Sequence, residues 1–209
     1  YFNKANSLFH LGQYDKALKT YFETFEYENP DDITYCYIGE CYERLDMLGE
    51  AMMYFEKSLE ANPQNPGAWV GKAICLSAKE EDVQALICVE KALSLDDLNV
   101  EFHKIHGEVL EKLERFEEAL PAFSRMVDLE PDDEDAWIDY ASYFYRNNLL
   151  EEAIAIMREG YMIIGDDAKF LYTYAGFLSL AGNQQNAKEY FVKALEADFC
   201  QHQVFFDLM

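Results

Sequence analysis

The sequence predicts an all-α solenoid of antiparallel helix pairs. Three observations carry the prediction. First, Ala17, Ala51, Ala85, Ala119, Ala153 and Ala187 stand 34 residues apart without a slip. Three more rows keep that register: Ala5, Gly39, Ala73, Gly107, Ala141 and Ala175; Leu8, Tyr42, Leu76, Leu110, Phe144 and Leu178; Tyr21, Phe55, Val89, Phe123, Met157 and Phe191. A fixed period of roughly 20–50 residues marks an array of one supersecondary unit. Second, apolar spacing inside each period is helical. Third, clusters of Pro, Asp and Asn recur between periods, where a helix must stop and the next be capped.

The repeats are expected at about 1–31, 32–65, 66–99, 100–133, 134–167 and 168–201, within a single domain of residues 1–209. Residues 202–209 are expected to start a terminal capping helix or a severed repeat. In the first repeat, Ala5 and Leu8 precede the turn Leu11-Gly12-Gln13, and Ala17 and Tyr21 follow it. Glycine there supplies the positive φ that ends a helix. The second repeat sets Tyr35, Ile38, Gly39 and Tyr42 at i, i+3, i+4 and i+7, then Leu48, Ala51, Met52, Phe55 and Leu59 in like spacing. Its borders are Asn29-Pro30-Asp31-Asp32 and Asn62-Pro63-Gln64-Asn65-Pro66. The turn of the third, Lys79-Glu80-Glu81-Asp82, has neither Gly nor an aromatic residue, so looser helix pairing is expected there.

The fourth repeat runs through Gly107, Phe116, Ala119 and Phe123 to Pro131-Asp132-Asp133. In the fifth, Gly160 sits inside a helix, where Ala is expected to be worth about 1 kcal/mol more. The sixth turns at Ala181-Gly182-Asn183. Asp97, Gly165 and Phe199 occupy the row that holds Pro63 and Pro131. Phe205, Phe206 and Leu208 lack a following helix to cover them, so weak homo-oligomeric contact through terminal repeats is expected. The chain starts at Tyr1 inside a helical pattern, which reads as a fragment.

Half the residues are hydrophobic and 15% are aromatic, ample for a continuous core. Asp+Glu number 40 against 17 Lys+Arg, a net charge of −23. Such a surface repels phosphate backbones and anionic lipid, so nucleic acid and membrane are not expected partners. The acidity first serves solubility; its second reading is attraction of a basic partner. No apolar stretch approaches the roughly 18–20 residues that span a bilayer. Cys36, Cys41, Cys75, Cys88 and Cys200 are an odd number, mostly within helical patterns, and read as reduced, mostly buried thiols of a cytoplasmic protein.

No Gly-rich phosphate loop, zinc-protease motif or nucleophile elbow is present, so no enzyme, cofactor or metal is expected. His103 and His106 lie i, i+3 but stand in rows filled elsewhere by packing residues. The acid runs Glu80-Glu81-Asp82 and Asp132-Asp133-Glu134-Asp135 lack calcium-loop spacing and read as caps and solvated turns.

The 34-residue unit with these small, aromatic and Pro rows resembles the tetratricopeptide repeat. The second repeat (Tyr35, Ile38, Gly39, Tyr42, Ala51, Phe55, Pro63) and the fourth (Gly107, Phe116, Ala119, Phe123, Pro131) carry the likeness best, and Trp69 and Trp137 stand where the family has Trp. The resemblance implies that the solenoid is a right-handed superhelix, and that it is a protein–protein interaction scaffold whose first helices line a concave groove for a peptide or partner domain. The groove residues it implies are Glu40, Arg44, Val70, Ile74, Lys104, Glu108, Ile138, Asp139, Arg146 and Tyr172. Val70, Ile74, Ile138 and Tyr172 are expected to anchor an apolar side chain, and Glu40, Glu108 and Asp139 to favour a basic partner. Co-chaperone members use a Lys, Asn and Arg carboxylate clamp; the matching positions hold residues such as Cys36, Glu40, Gly67, Gly71, Glu108 and Asp139, with Lys104 alone clamp-like, so no clamp is expected. Two other functions remain open: a self-assembly module stacking through terminal repeats, and a regulatory segment of a larger enzyme.

Overall fold

Capping chemistry recurs with the same period as the alanines. Asp31, Asn65, Asn99, Asp133 and Asp167 stand 34 residues apart, and each side chain accepts a backbone N–H in the first turn of the helix it precedes. Such caps satisfy donors that the helix start leaves unpaired. The computed structural model describes residues 2–25 and 29–207, with side chains as far as Asp198. Among the described residues there are helices and no strand. They are α1 Phe2–His10, α2 Tyr14–Thr24, α3 Asp32–Arg44, α4 Leu48–Ala61, α5 Pro66–Ala78, α6 Asp82–Leu95, α7 Val100–Lys112, α8 Phe116–Leu129, α9 Glu134–Arg146, α10 Leu150–Ile164, α11 Ala168–Leu180 and α12 Gln184–Asp207.

The turns inside repeats are one structure used six times. Gly12, Asp46, Glu80, Glu114, Asn148 and Gly182 all have φ between 57° and 79°. In each turn the next N–H donates to a carbonyl five residues back, as Gln13 N to Leu8 O and Glu81 N to Leu76 O, both 2.9 Å. The Gly-free third turn is therefore built like the others, and the looser pairing expected there is not found. Its helices still bury Ala73 and Ala85 completely.

Contacts group the chain into two compact units, residues 1–116 and 117–209, where the sequence reads as one array. In the first, α1 pairs with α2, α3 with α4 and α5 with α6, while α1, α3, α5 and α7 touch in succession. In the second, α9 pairs with α10 and α11 with α12, and α9 also meets α11. The alanine row is the core of both: Ala17, Ala51, Ala85, Ala119 and Ala153 are 0% exposed. Small residues let helix backbones approach, and the large rows fill the flanks. Phe55 shows how closely: its ring fills the space left by Gly39 and Gly71, and a Cβ at Gly39 would lie 2.7 Å from it.

Two expectations are corrected. Gly160 is no weak point, because a Cβ there would meet Trp137 at 2.8 Å and Phe170 at 2.9 Å. Helix propensity yields to packing at that crossing. Second, no new helix starts near residue 202: α12 runs unbroken from Gln184 to Asp207. Phe199 stands where Pro63 and Pro131 end earlier repeats, and nothing between 184 and 207 is Pro or Gly. The side chains of Phe205, Phe206 and Leu208, and that of Cys200, lie outside the described residues.

Candidate functional site

The first helices α3, α5 and α7 form the face from which a site can be built in residues 1–116. Three rows of α3, α5 and α7 residues decide its character. The row of Cys36, Val70 and Lys104 is covered where the side chain is short: Cys36 is 7% and Val70 5% exposed, whereas Lys104 is half-buried. Val70 is therefore a core residue and not the exposed anchor expected. It lies on a helix that also buries Ala68, Gly71, Ala73, Cys75 and Leu76, packed between α3, α6 and α7.

The row of Glu40, Ile74 and Glu108 is half-buried throughout. Glu40 accepts from the Cys36 thiol at 3.5 Å. Burial pushes the Glu40 carboxyl above the usual carboxylate range; the Cys36 hydrogen bond and Arg44 oppose the shift, and Glu43 adds to it. Glu43 is raised too, by burial first and by Glu101 of α7, against the pull of Arg44. Arg44 is exposed, its Nε 3.6 Å from Glu43. Glu43 thus links Glu40 of its own helix to Glu101 of α7 electrostatically, with Arg44 drawing on both α3 acids.

The third row holds Arg44, Ala78 and Lys112. Ala78 is the small residue among long ones, and beside it a depression of about 190 Å3 opens between α5 and α7. Ile74, Ala78, Ile105 and Val109 give it an apolar floor, with Glu108 at its edge. Lys112 closes one end: its Nζ donates to the Ser77 hydroxyl at 2.7 Å and to the Ser77 carbonyl at 3.3 Å. Ile74 and Glu108, both expected groove residues, are thus brought together. Ile105 and Val109 were not foreseen. Ala78 in a row of Arg and Lys is the signal that points to the depression.

In residues 117–209 the expected groove residues lie on α9 and α11. Ile138 and Asp139 are half-buried on α9. The Arg146 guanidinium lies 5.9 Å from the Phe123 ring centre. Tyr172, 66% exposed, packs edge-on against Phe191 of α12 at 5.3 Å, while Tyr145 packs on Phe177. Lys169 of α11 pairs with Asp135 of α9.

The chemical alternatives are occupied by structure. The carboxylates of Asp133, Glu134 and Asp135 lie within 4.8 Å of one another, but Asp133 caps α9 and Asp135 holds Lys169. His103 Nε2 sits 2.9 Å from the Asp97 carbonyl oxygen. Cys36, Cys41, Cys75 and Cys88 are buried and free, and burial raises each thiol, Cys41 to about 12 and Cys75 to about 11. Such thiols are unreactive near neutral pH. No described helix is long and apolar enough to cross a membrane.

Profiles of the tetratricopeptide repeat match residues 34–65, 106–169 and 168–199. The chain belongs to the tetratricopeptide repeat family. Its fold is shared with a tetratricopeptide repeat protein of Thermus thermophilus, at TM-score 0.72 and 19% identity over 85% of this chain and 96% of that one. It is shared also with one from Parabacteroides merdae, at TM-score 0.71 and 15% identity over 94% and 77%. YrrB, a tetratricopeptide repeat protein with an unusual peptide-binding site, superposes at TM-score 0.58 and 24% identity over 85% and 91%. These likenesses establish an all-α solenoid of helix pairs. A stretch of 147 residues is 23% identical to anaphase-promoting complex subunit 3 of Schizosaccharomyces pombe. That match covers 64% of this chain and 22% of the relative, so the chain spans about a fifth of that protein's length.

Proposed function

We propose that this tetratricopeptide repeat chain is a non-enzymatic scaffold that holds an extended peptide or partner segment on the α3–α5–α7 face. The partner carries a basic residue beside an apolar one. The observation that supports this most is that the first helices α3, α5 and α7 carry both the half-buried acids Glu40 and Glu43, with Glu101 acting on Glu43, and the Ile74-floored depression. Half-buried acids whose proton affinity is raised by desolvation gain from an arriving cation, and an apolar floor gains from a buried side chain. The carboxylate clamp is not part of the reading, since Cys36, Glu40, Gly71 and Glu108 offer a peptide terminus no cationic fork. YrrB has a peptide-binding site, and the yeast relative is a subunit of a complex; both agree with a protein-binding role.

Selection from a displayed random-peptide library tests it. Peptides retained by the protein should be enriched in Lys or Arg next to Leu, Ile or Phe. Ile74→Asp should weaken a selected peptide mainly through faster dissociation, since a lost anchor acts on the off-rate. Glu108→Lys should act on association and on salt dependence. Selected peptides without basic residues, or both variants binding like the parent, would place the ligand on another surface.

A further inference from the structure

We propose that a pocket between α8, α9 and α10 receives a Lys or Arg side chain of a basic partner segment, as a second recognition site independent of the α3–α5–α7 face. The pocket has a volume of about 410 Å3. Trp137 forms its base, 5% exposed and fixed by its indole N–H donating to the Pro131 carbonyl at 2.9 Å. Tyr140 and Ile156 supply further walls, and Asp128 and Glu159 stand at its margin. No Lys or Arg is among its lining residues.

The chain contains its own control two repeats earlier. Trp69 donates to the Pro63 carbonyl at 3.0 Å, the same bond at the same place in the period. There the position of Tyr140 is held by Lys72, whose Nζ reaches Glu56 at 3.0 Å. Glu56 stands where the second unit has Ser124. The first unit thus supplies a cation and its carboxylate from within. In the second unit the lysine is a tyrosine and the glutamate a shorter serine, which hydrogen bonds with the Tyr140 phenol. Burial pushes that phenol upward, and Glu159 and Asp128 push it the same way, so both carboxylates bear on the space beside it.

A basic side chain suits this site on both counts. Its methylenes lie along Trp137, Tyr140 and Ile156 as a long cationic residue does on any apolar wall, and its head reaches the two carboxylates. A neutral polar side chain lacks the second gain and an aliphatic one strands the acids.

The test uses the whole 15N-labelled chain and two small probes, N-acetyl-arginine methylamide and its neutral twin N-acetyl-citrulline methylamide. The arginine probe should shift the Trp137 indole N–H and the Tyr140 amide, and bind about three- to tenfold more tightly than the citrulline probe, as two part-exposed ion pairs allow. The double variant Asp128→Asn, Glu159→Gln should abolish that preference. So should Ser124→Glu with Tyr140→Lys, which rebuilds the first unit's internal pair. Glu159→Gln alone, at an exposed position, should lower the preference even if the double variants fold poorly. Equal response to both probes, or a preference that survives Glu159→Gln and the double variants, overturns the proposal. So do shifts confined to Ile74 and Glu108, which would assign the basic ligand to the α5–α7 depression alone.

Discussion

Glu40 is a carboxyl that binds its proton more readily in the folded chain than in the unfolded one, because burial outweighs the help of Cys36 and Arg44. The stability this brings is complete below the unfolded value, near pH 4.3, and is lost as pH rises through the folded value. At neutral pH the ionised group is therefore a cost to the fold. Glu40→Gln keeps an oxygen for the Cys36 thiol and removes the charge. It should raise the denaturant midpoint at pH 7 and leave it unchanged below about pH 4. Urea titrations at the two pH values read this directly, and a loss of stability at pH 7 would mean that Glu40 is held by a favourable charge. The same residue shows what sequence conveys at this scale. Its row, and Glu108 and Ile74 with it, could be read off the helical period. That Val70 and Cys36 are covered could not, because burial depends on side-chain length against the next first helix and not on register alone.

At the scale of the element, the core rows were legible from the period, and the caps Asp31, Asn65 and Asp133 from side-chain chemistry beside Pro; Asn99 and Asp167 cap in the same register without a Pro to mark them. The turns were only half legible. Gly12 and Gly182 gave the positive φ away, but Asp46, Glu80, Glu114 and Asn148 adopt it too, driven by the two hydrogen bonds that close the preceding helix. Local propensity there gives way to the pairing of two long apolar faces. A non-glycine residue in the left-handed region carries strain that glycine does not. Glu80→Gly should accordingly stabilise the protein by about 0.5–1 kcal/mol, the strain relief being offset in part by the added freedom of the unfolded chain. Thermal unfolding followed by far-UV circular dichroism checks it; a lowered midpoint would show that the Glu80 side chain makes a compensating contact. The end of α12 was illegible for a related reason. The sequence marked a boundary at Phe199 by period alone, with no Pro or Gly there to enforce it.

For the whole molecule, charge connects stability to binding, and the two respond to salt in opposite senses. Forty acidic residues against 17 basic ones leave a net −23, which repels itself in any compact state. The composition gave this in advance; it did not give the places where acids meet apolar surface, which arise only when α3, α5 and α7 come side by side. Raising salt from about 10 mM to about 150 mM shortens the Debye length from about 30 Å to about 8 Å. Self-repulsion is thereby screened, and a gain of about 1 kcal/mol would raise the melting temperature by about 2–4 °C for a chain of this size. A basic peptide held near Glu40, Glu43 and Glu101 should over the same range associate more slowly and bind more weakly, since its attraction is screened as well. Melting curves and peptide titrations in the same two buffers provide the comparison. If binding strengthened together with stability, salt would be acting only through the fold, and recognition of the partner would rest on the apolar floor of Ile74, Ile105 and Val109 instead of on the acids around it.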